Sequence, residues 1–327
     1  MIILEDVSLE IIFLVIFITK KIGVMGLDNA GKTSIITVIT KRFGFEEEIA
    51  RLKPTRRIAR DSFKFLGLEF TRLDFGGQKQ YREEYLKHPE KYLSGTDLLF
   101  YVIDAQDFDR YIESIDYLEH VLLFFKEEQD YVPICILFHK FDPQLVDDVQ
   151  INKRILTLKQ ALTRYSNHFD IFFFETTIYD IKSVMDAFSS GLSMLFDKIE
   201  MVSQLFAEIS KNYNSILMAL FDSKGITLGE YYRPHLQLNE KLKIYEKYVE
   251  LQKRIVSENR TLLEFSDIFD SGERFSGIIE VLEFGNLDFY LLFIIEEDED
   301  LQKTVSLLDK IEAAKPQMEN LILQIIQ

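Results

Sequence analysis

The sequence predicts two joined units: an α/β unit with a mostly parallel sheet, then a smaller α+β unit with an antiparallel sheet. Three observations carry this. From Lys20 to about Lys198, short β-branched or aromatic runs alternate with helix-period stretches, as in a parallel sheet covered by helices. Beyond residue 200 the order becomes helix, hairpin, helix, hairpin, helix, which suits an antiparallel sheet. The length of 327 residues is about twice the ~150 residues usual for one domain. The expected division is an apolar extension over 1–19, a first domain over 20–200 and a second over 201–327.

The strand-like runs of the first unit are KIGVMG, FKFLGLEFTRLDF, DLLFYVID, PICILFH and FDIFFFETT. Helical patterns lie between them at Lys32–Arg42, Gln80–Leu93, Phe108–Asp130 and Ile151–Ser166, and helix Lys182–Ile199 closes the unit. In the second unit, a helix from Met201 to Asn212 precedes SILMALF and ITLGEYY, joined at Asp222–Gly225 as a hairpin. Helix Leu238–Asn259 follows. A second hairpin is expected to turn at Gly285–Asn286. The last helix, Asp300–Ile325, should kink or break at Pro316.

Composition narrows the function. Hydrophobic residues make up 47% and charged residues 28%, an ordinary globular balance. The net charge of −16 argues against nucleic acid as a partner, because phosphate contacts need an excess of Lys and Arg. It also disfavours simple docking on anionic lipid. A single cysteine, Cys135, allows neither an internal disulfide nor a Cys-based zinc site; in its apolar strand it reads as an inert thiol. His88, His120, His168 and His235 show no metal-ligand spacing. The apolar run Ile11–Ile18 is too short to span a bilayer, which takes about 20 residues, and acidic residues precede it, unlike a secretory signal. It reads as an element packed on the body or as an amphipathic anchor.

Three motifs carry chemistry. Residues 26–33, GLDNAGKT, fit G-x-x-x-x-G-K-S/T between a strand and a helix. There Asp28, Asn29, Ala30, Gly31 and Ser34 line a loop whose amides cradle phosphates. Lys32 reaches the β- and γ-phosphate oxygens, and the Thr33 hydroxyl ligates Mg²⁺. Next, Asp74-Phe-Gly-Gly77-Gln78 ends a strand. Asp74 can hold Mg²⁺ through water, Gly77 can offer its amide to a γ-phosphate, and Gln78 can orient an attacking water. The third is His139-Lys140-Phe-Asp142. The Asp142 carboxylate can accept from guanine N1–H and the 2-amino group, an arrangement adenine lacks, while the Lys140 stem covers the base.

Together these motifs resemble the small GTPase and Gα superfamily. GLDNAGKTS with DFGGQ is similar to the Arf-like and Sar branch. HKFD, where N-K-x-D is usual, and ETTIYD at 175–180 resemble the Rag branch. Rag proteins carry a roadblock domain after the G domain, and residues 201–327 resemble one in topology. The resemblance thus implies a P-loop NTPase G domain fused to a roadblock (longin-related) domain. It further implies GTP and GDP with Mg²⁺ as cofactors, Thr55 of Lys53-Pro54-Thr55 as a second Mg²⁺ ligand, and Thr176 and Thr177 in the base-contacting loop. His139 replaces the asparagine that normally ties this loop to the phosphate loop, and Glu46-Glu47-Glu48 lies in a lengthened effector segment. Arg51 reads as a solvated switch-loop arginine rather than a Gα-type catalytic one.

The implied function is a GTP-binding switch that hydrolyses GTP slowly, with Gln78 and Lys32 catalytic. The alternative is a nucleotide-holding scaffold or dimerisation module with little turnover. Implied partners are protein effectors, a GTPase-activating protein and a homo- or heterodimer mate held through the C-terminal domain. The implied location is cytoplasmic, peripheral at a membrane only indirectly or through the extension.

Overall fold

A computed structural model of the chain describes residues 20–41, 55, 58–65, 68–196, 198–211, 215–284, 287–296 and 301–326. The apolar extension, Glu46–Glu48, Arg51, Lys53-Pro54 and the Gly285–Asn286 turn lie outside them.

The first sheet holds β1 (Lys20–Gly26), β2 (Ile58–Phe65), β3 (Leu68–Phe75), β4 (Leu98–Asp104), β5 (Ile134–His139) and β6 (Ile171–Thr176). Its order is β2-β3-β1-β4-β5-β6. All pairings are parallel except β2 with β3. FKFLGLEFTRLDF, expected as one strand-like run, is therefore the meeting of two antiparallel strands.

The longer helices of this unit are α1 (Lys32–Lys41), α2 (Lys79–Lys87), α3 (Tyr111–Glu127), α4 (Val149–Thr163) and α5 (Ile181–Ser193); the run expected over Gln80–Leu93 breaks at His88, and a single further turn covers Pro89–Tyr92. The closing helix expected to reach Ile199 stops early. Met194, Leu195 and Phe196 donate to carbonyls three residues back, tightening its last turn. A separate helix, α6 (Ile199–Ser210), then begins.

The second sheet holds β7 (Ser215–Asp222), β8 (Thr227–Tyr232), β9 (Leu262–Ile268), β10 (Arg274–Phe284) and β11 (Leu287–Glu296), with helices α7 (Leu238–Glu258) and α8 (Leu301–Ile326). The order is β8-β7-β11-β10-β9, antiparallel throughout. The first hairpin turns as expected: Asp222 Oδ1 accepts from Lys224 N and Ile226 N, and Gly225 takes φ +78°. Strand β9 has no counterpart in the sequence reading. It follows α7 almost at once, after a left-handed cap at Asn259. Helix α8 runs unbroken through Pro316, against expectation.

Side chains on one face of the first sheet join α2, α3 and α4 around Tyr85, Phe125 and Phe138. The opposite face is covered by α1 and α5. Its apolar cluster continues from Ile22, Phe100 and Leu192 through Val202 and Phe206 of α6 to Met218, Phe293 and Ile322 around the second sheet. A third cluster packs α7 on the far face of that sheet. Two amides of β8 are closed off by hydroxyls: Thr227 N donates to Ser189 Oγ (3.1 Å) and Glu230 N to Ser203 Oγ (3.0 Å).

Phe206 is fully buried where both sheets share this core. Phe206→Ala should therefore destabilise the chain by about 3–5 kcal/mol, read by urea unfolding followed by circular dichroism, since the chain has no tryptophan. A loss below about 1 kcal/mol would mean that the cavity collapses freely.

Candidate nucleotide site

The phosphate-loop candidate joins β1 to α1. Gly26 and Gly31 take φ +139° and +95°, a backbone region that disfavours side chains. A Cβ on Gly26 would lie 2.2 Å from Val102 O, and one on Gly31 2.3 Å from His139 Cδ2. Asn29 is also left-handed, at φ +62°. Asp28 and Ser34 are half-buried, Asn29 is exposed and Ala30 is buried. Lys32 is buried and folds over its own loop, donating to Gly26 O (3.0 Å) and Leu27 O (2.6 Å). Burial pushes its ammonium down to about 8, against the pull of the Asp74 and Asp28 carboxylates.

Three oxygens meet beside it. Thr33 Oγ1 lies 2.9 Å from Thr55 Oγ1, and the two hydroxyls donate to Asp74 Oδ2 at 3.0 and 3.1 Å. Two hydroxyls and one carboxylate suit Mg²⁺, which takes few protein ligands and keeps waters and substrate phosphates. Among the described residues no group of three His, Cys, Asp or Glu could hold a metal.

Gly77 is pressed on the phosphate loop. Its carbonyl accepts from Asp28 N (3.0 Å), and a Cβ on it would lie 2.2 Å from that nitrogen. The same carbonyl accepts from Arg82 Nε (2.8 Å). Arg82 also pairs with Glu113, which takes Arg110 Nε (3.0 Å). Arg110 in turn donates to Asp28 O (3.2 Å) and Asp28 Oδ1 (2.7 Å). A ring of hydrogen bonds thus ties α2 to α3 and to the phosphate loop. Gln78 stands next to Gly77 as the cap of α2, half-buried, and its Oε1 accepts from Gln80 Nε2 (3.3 Å).

Hydrogen bonds from Arg82 and Arg110 hold Glu113 below the usual carboxylate range. Such a lowered value means the ring is fully formed above the ordinary Glu value of 4.5 and is lost as pH falls through the folded one. Proteolytic nicking across 76–90 should stay flat from about pH 7 to 5 and rise further into acid. Glu113→Gln should remove that acid step; an unchanged step would assign it to another group.

The third segment stands at the ends of β5 and β6. His139 is buried, and its Nδ1 lies 3.0 Å from Thr176 Oγ1 while its ring abuts Gly31. Burial, with Lys140 adding to it, pushes the imidazole down to about 4. Lys140 takes φ +61°, and its Nζ donates to Asp104 Oδ2 (2.6 Å). Asp142 accepts from buried Thr177 through Oδ1 (2.6 Å) and from Gln106 through Oδ2 (3.0 Å). The structure therefore draws the sequence-predicted residues into one mouth at the C-terminal ends of the strands. It adds Arg82, Glu113, Arg110, Asp104 and Gln106, none of which a motif marked. Cys135 is buried, its thiol pushed up to about 12 by that burial.

The mostly parallel sheet, with a glycine-rich loop between its first strand and helix, defines a G-domain fold. The family description "Gtr1/RagA G protein conserved region" matches residues 21–258, and the chain belongs to this family, as a small GTPase of the Arf and Rag type. It is 35% identical over 122 residues to ADP-ribosylation factor-like protein 3 of Chlamydomonas reinhardtii, covering 37% of this chain and 63% of that protein. It is 28% identical over 152 residues to ADP-ribosylation factor-like protein alp41 of Schizosaccharomyces pombe, covering 46% and 74%. The chain thus spans just under two thirds of the first relative's length. A solved structure, the Arl6 BBS3 small GTPase from Trypanosoma brucei with bound nucleotide analogue GppNp, is similar at 21% identity and a TM-score of 0.42, covering 54% of this chain and 96% of that one.

Proposed function

We propose that this chain is a guanine-nucleotide switch that hydrolyses GTP slowly. The observation that carries the reading is the convergence of Thr33, Thr55 and Asp74 beside Lys32, three segments far apart in sequence meeting where a phosphate-bound cation would sit. Asp28–Ser34 and Gly77 hold the phosphates. His139, Lys140, Asp142, Thr176 and Thr177 form the base site. Thr33, Thr55 and Asp74 would hold Mg²⁺, which when bound would neutralise phosphate charge. Lys32 leaves its own loop carbonyls to stabilise charge on the transferred phosphoryl group, and Gln78 orients water for in-line attack. Loss of the γ-phosphate releases Thr55 and Gly77, and the loop around 76–90 changes order; apart from Thr55 and Ile58, the segment 44–58 lies outside the described residues. Protein effectors and a GTPase-activating protein would read and time that change.

The second unit, divided from the first near residue 200, is proposed to be a roadblock-type dimerisation domain. Its helix, two strands, helix, three strands, helix supports this reading. Strand β9 ends the sheet and exposes Leu262 and Ile268, a margin suited to a mate's strand. No described helix is long and apolar enough to cross a membrane.

Release of the co-purified nucleotide, then a GTP hydrolysis time course for wild type and Gln78→Leu, tests the switch. Bound GDP or GTP, with turnover at least about tenfold lower in the variant, is the expected result. Guanine nucleotide bound but not hydrolysed would favour the scaffold, and adenine nucleotide would overturn the reading of Asp142.

A further inference from the structure

The loop after β4 reaches the base site at several points. Gln106 Nε2 donates to Lys140 O (2.8 Å) and Asp142 Oδ2 (3.0 Å). Both neighbours are acceptors, so the amide must present its NH₂ end to them. Asp104, two residues earlier, accepts Gln106 N through Oδ1 (2.9 Å) and Lys140 Nζ through Oδ2 (2.6 Å). Lys140 itself sits at φ +61°, a conformation lysine seldom adopts, and the Gln106 bond holds that peptide from its carbonyl side. Thr177 Oγ1 supplies the matching donor to Asp142 Oδ1 (2.6 Å). Each oxygen of the base-reading carboxylate therefore carries one donor from the protein, and each keeps further lone pairs for a ligand.

We infer that Gln106 is a positioning residue that sets the preference for guanine, by fixing the Asp142 carboxylate so that it meets N1–H and the 2-amino group together. The inference rests on the guanine-switch reading above. An Asp142 held by Thr177 alone turns about its χ2 bond, a broad torsion, and meets the two donors in turn rather than at once. Gln106 is exposed, so its replacement leaves the core untouched. Its effect falls on base discrimination rather than on phosphate binding, which is the work of a different loop.

The test uses the full chain, freed of nucleotide, with GDP, IDP and ADP as probes in Mg²⁺. IDP lacks the 2-amino group, so the ratio of GDP to IDP affinity reports the contact at issue. Gln106→Met keeps the length and loses the donor; Gln106→Glu sets a second acceptor against Asp142. The expected result is a GDP-over-IDP preference lowered about three- to tenfold in Gln106→Met and further in Gln106→Glu, with ADP binding unchanged. Equal weakening of GDP and IDP, or an intact preference, overturns the role of Gln106 while the guanine reading stands. A wild-type chain that binds ADP as well as GDP overturns that reading, and this inference with it.

Discussion

Asp142→Asn should cost the chain about 10²–10⁴-fold in GDP affinity and turn its preference toward xanthine nucleotides. The Asp142 side chain is held between Thr177 and Gln106, so its free lone pairs point in fixed directions. Hydrogen bonds to a charged group contribute about 1.5–3 kcal/mol each, and the carboxylate is read here as accepting two from guanine. Asparagine removes the charge and replaces one acceptor with an NH₂ group that meets the guanine 2-amino group donor to donor. Xanthine carries a carbonyl there and accepts instead. Titration of GDP and XDP against both proteins measures the exchange. GDP affinity unchanged to within about threefold would place the base elsewhere.

Gly77→Ala should lower single-turnover GTP hydrolysis by about 100-fold or more while leaving GDP affinity nearly intact. The added methyl would lie 2.2 Å from Asp28 N, 2.3 Å from Leu27 C and 2.5 Å from Leu27 O. These are backbone atoms of a loop held by its own glycines, so neither partner can yield as a flexible side chain would. The start of α2 must lift, and the Gly77 carbonyl loses Asp28 N and Arg82 Nε together. Gln78 is the next residue, so the water it is proposed to orient is misplaced; a shift of about 1 Å at a reacting centre costs on the order of 10²-fold. In the proposed cycle Gly77 offers its amide only to the γ-phosphate, which GDP lacks. An equal loss of GDP binding and hydrolysis would show that Gly77 shapes the phosphate loop rather than the hydrolytic step.

The candidate site was legible where its proposed chemistry is written in short runs. Gly26 to Thr33, Asp74 to Gln78 and His139 to Asp142 each sit at a strand end, and the alternation of strands and helices was enough to bring them to one side of the sheet. The supporting groups were not legible. Arg110 and its partner Asp28 are 82 residues apart, and Gln106 and Asp142 are 36 apart; no local pattern joins them. Arg82 lies five residues from the carbonyl it holds, yet its direction is set by packing over the Tyr117 ring. In the fold, β9 escaped notice because Glu264, Ser266 and Asp267 break up its apolar residues, leaving only one partly covered face to mark a strand. Pro316 misled in the opposite sense. The surrounding apolar residues Ile311, Met318 and Ile322 pack against the shared core, and this burial outweighs one missing backbone hydrogen bond.

The serine hydroxyls on β8 give the second sheet a polarity of growth. A strand margin with free amides invites addition, and a sheet open on both sides can extend without end. Here Ser189 and Ser203 close two amides of one margin from within the same chain, and β9 forms the other margin. Were two copies to pair through β9, as proposed above, each would consume the other's open side and the pair would be closed. The Ser189 bond, which joins the two units of one molecule, is thus also part of what would stop that molecule from becoming a fibre.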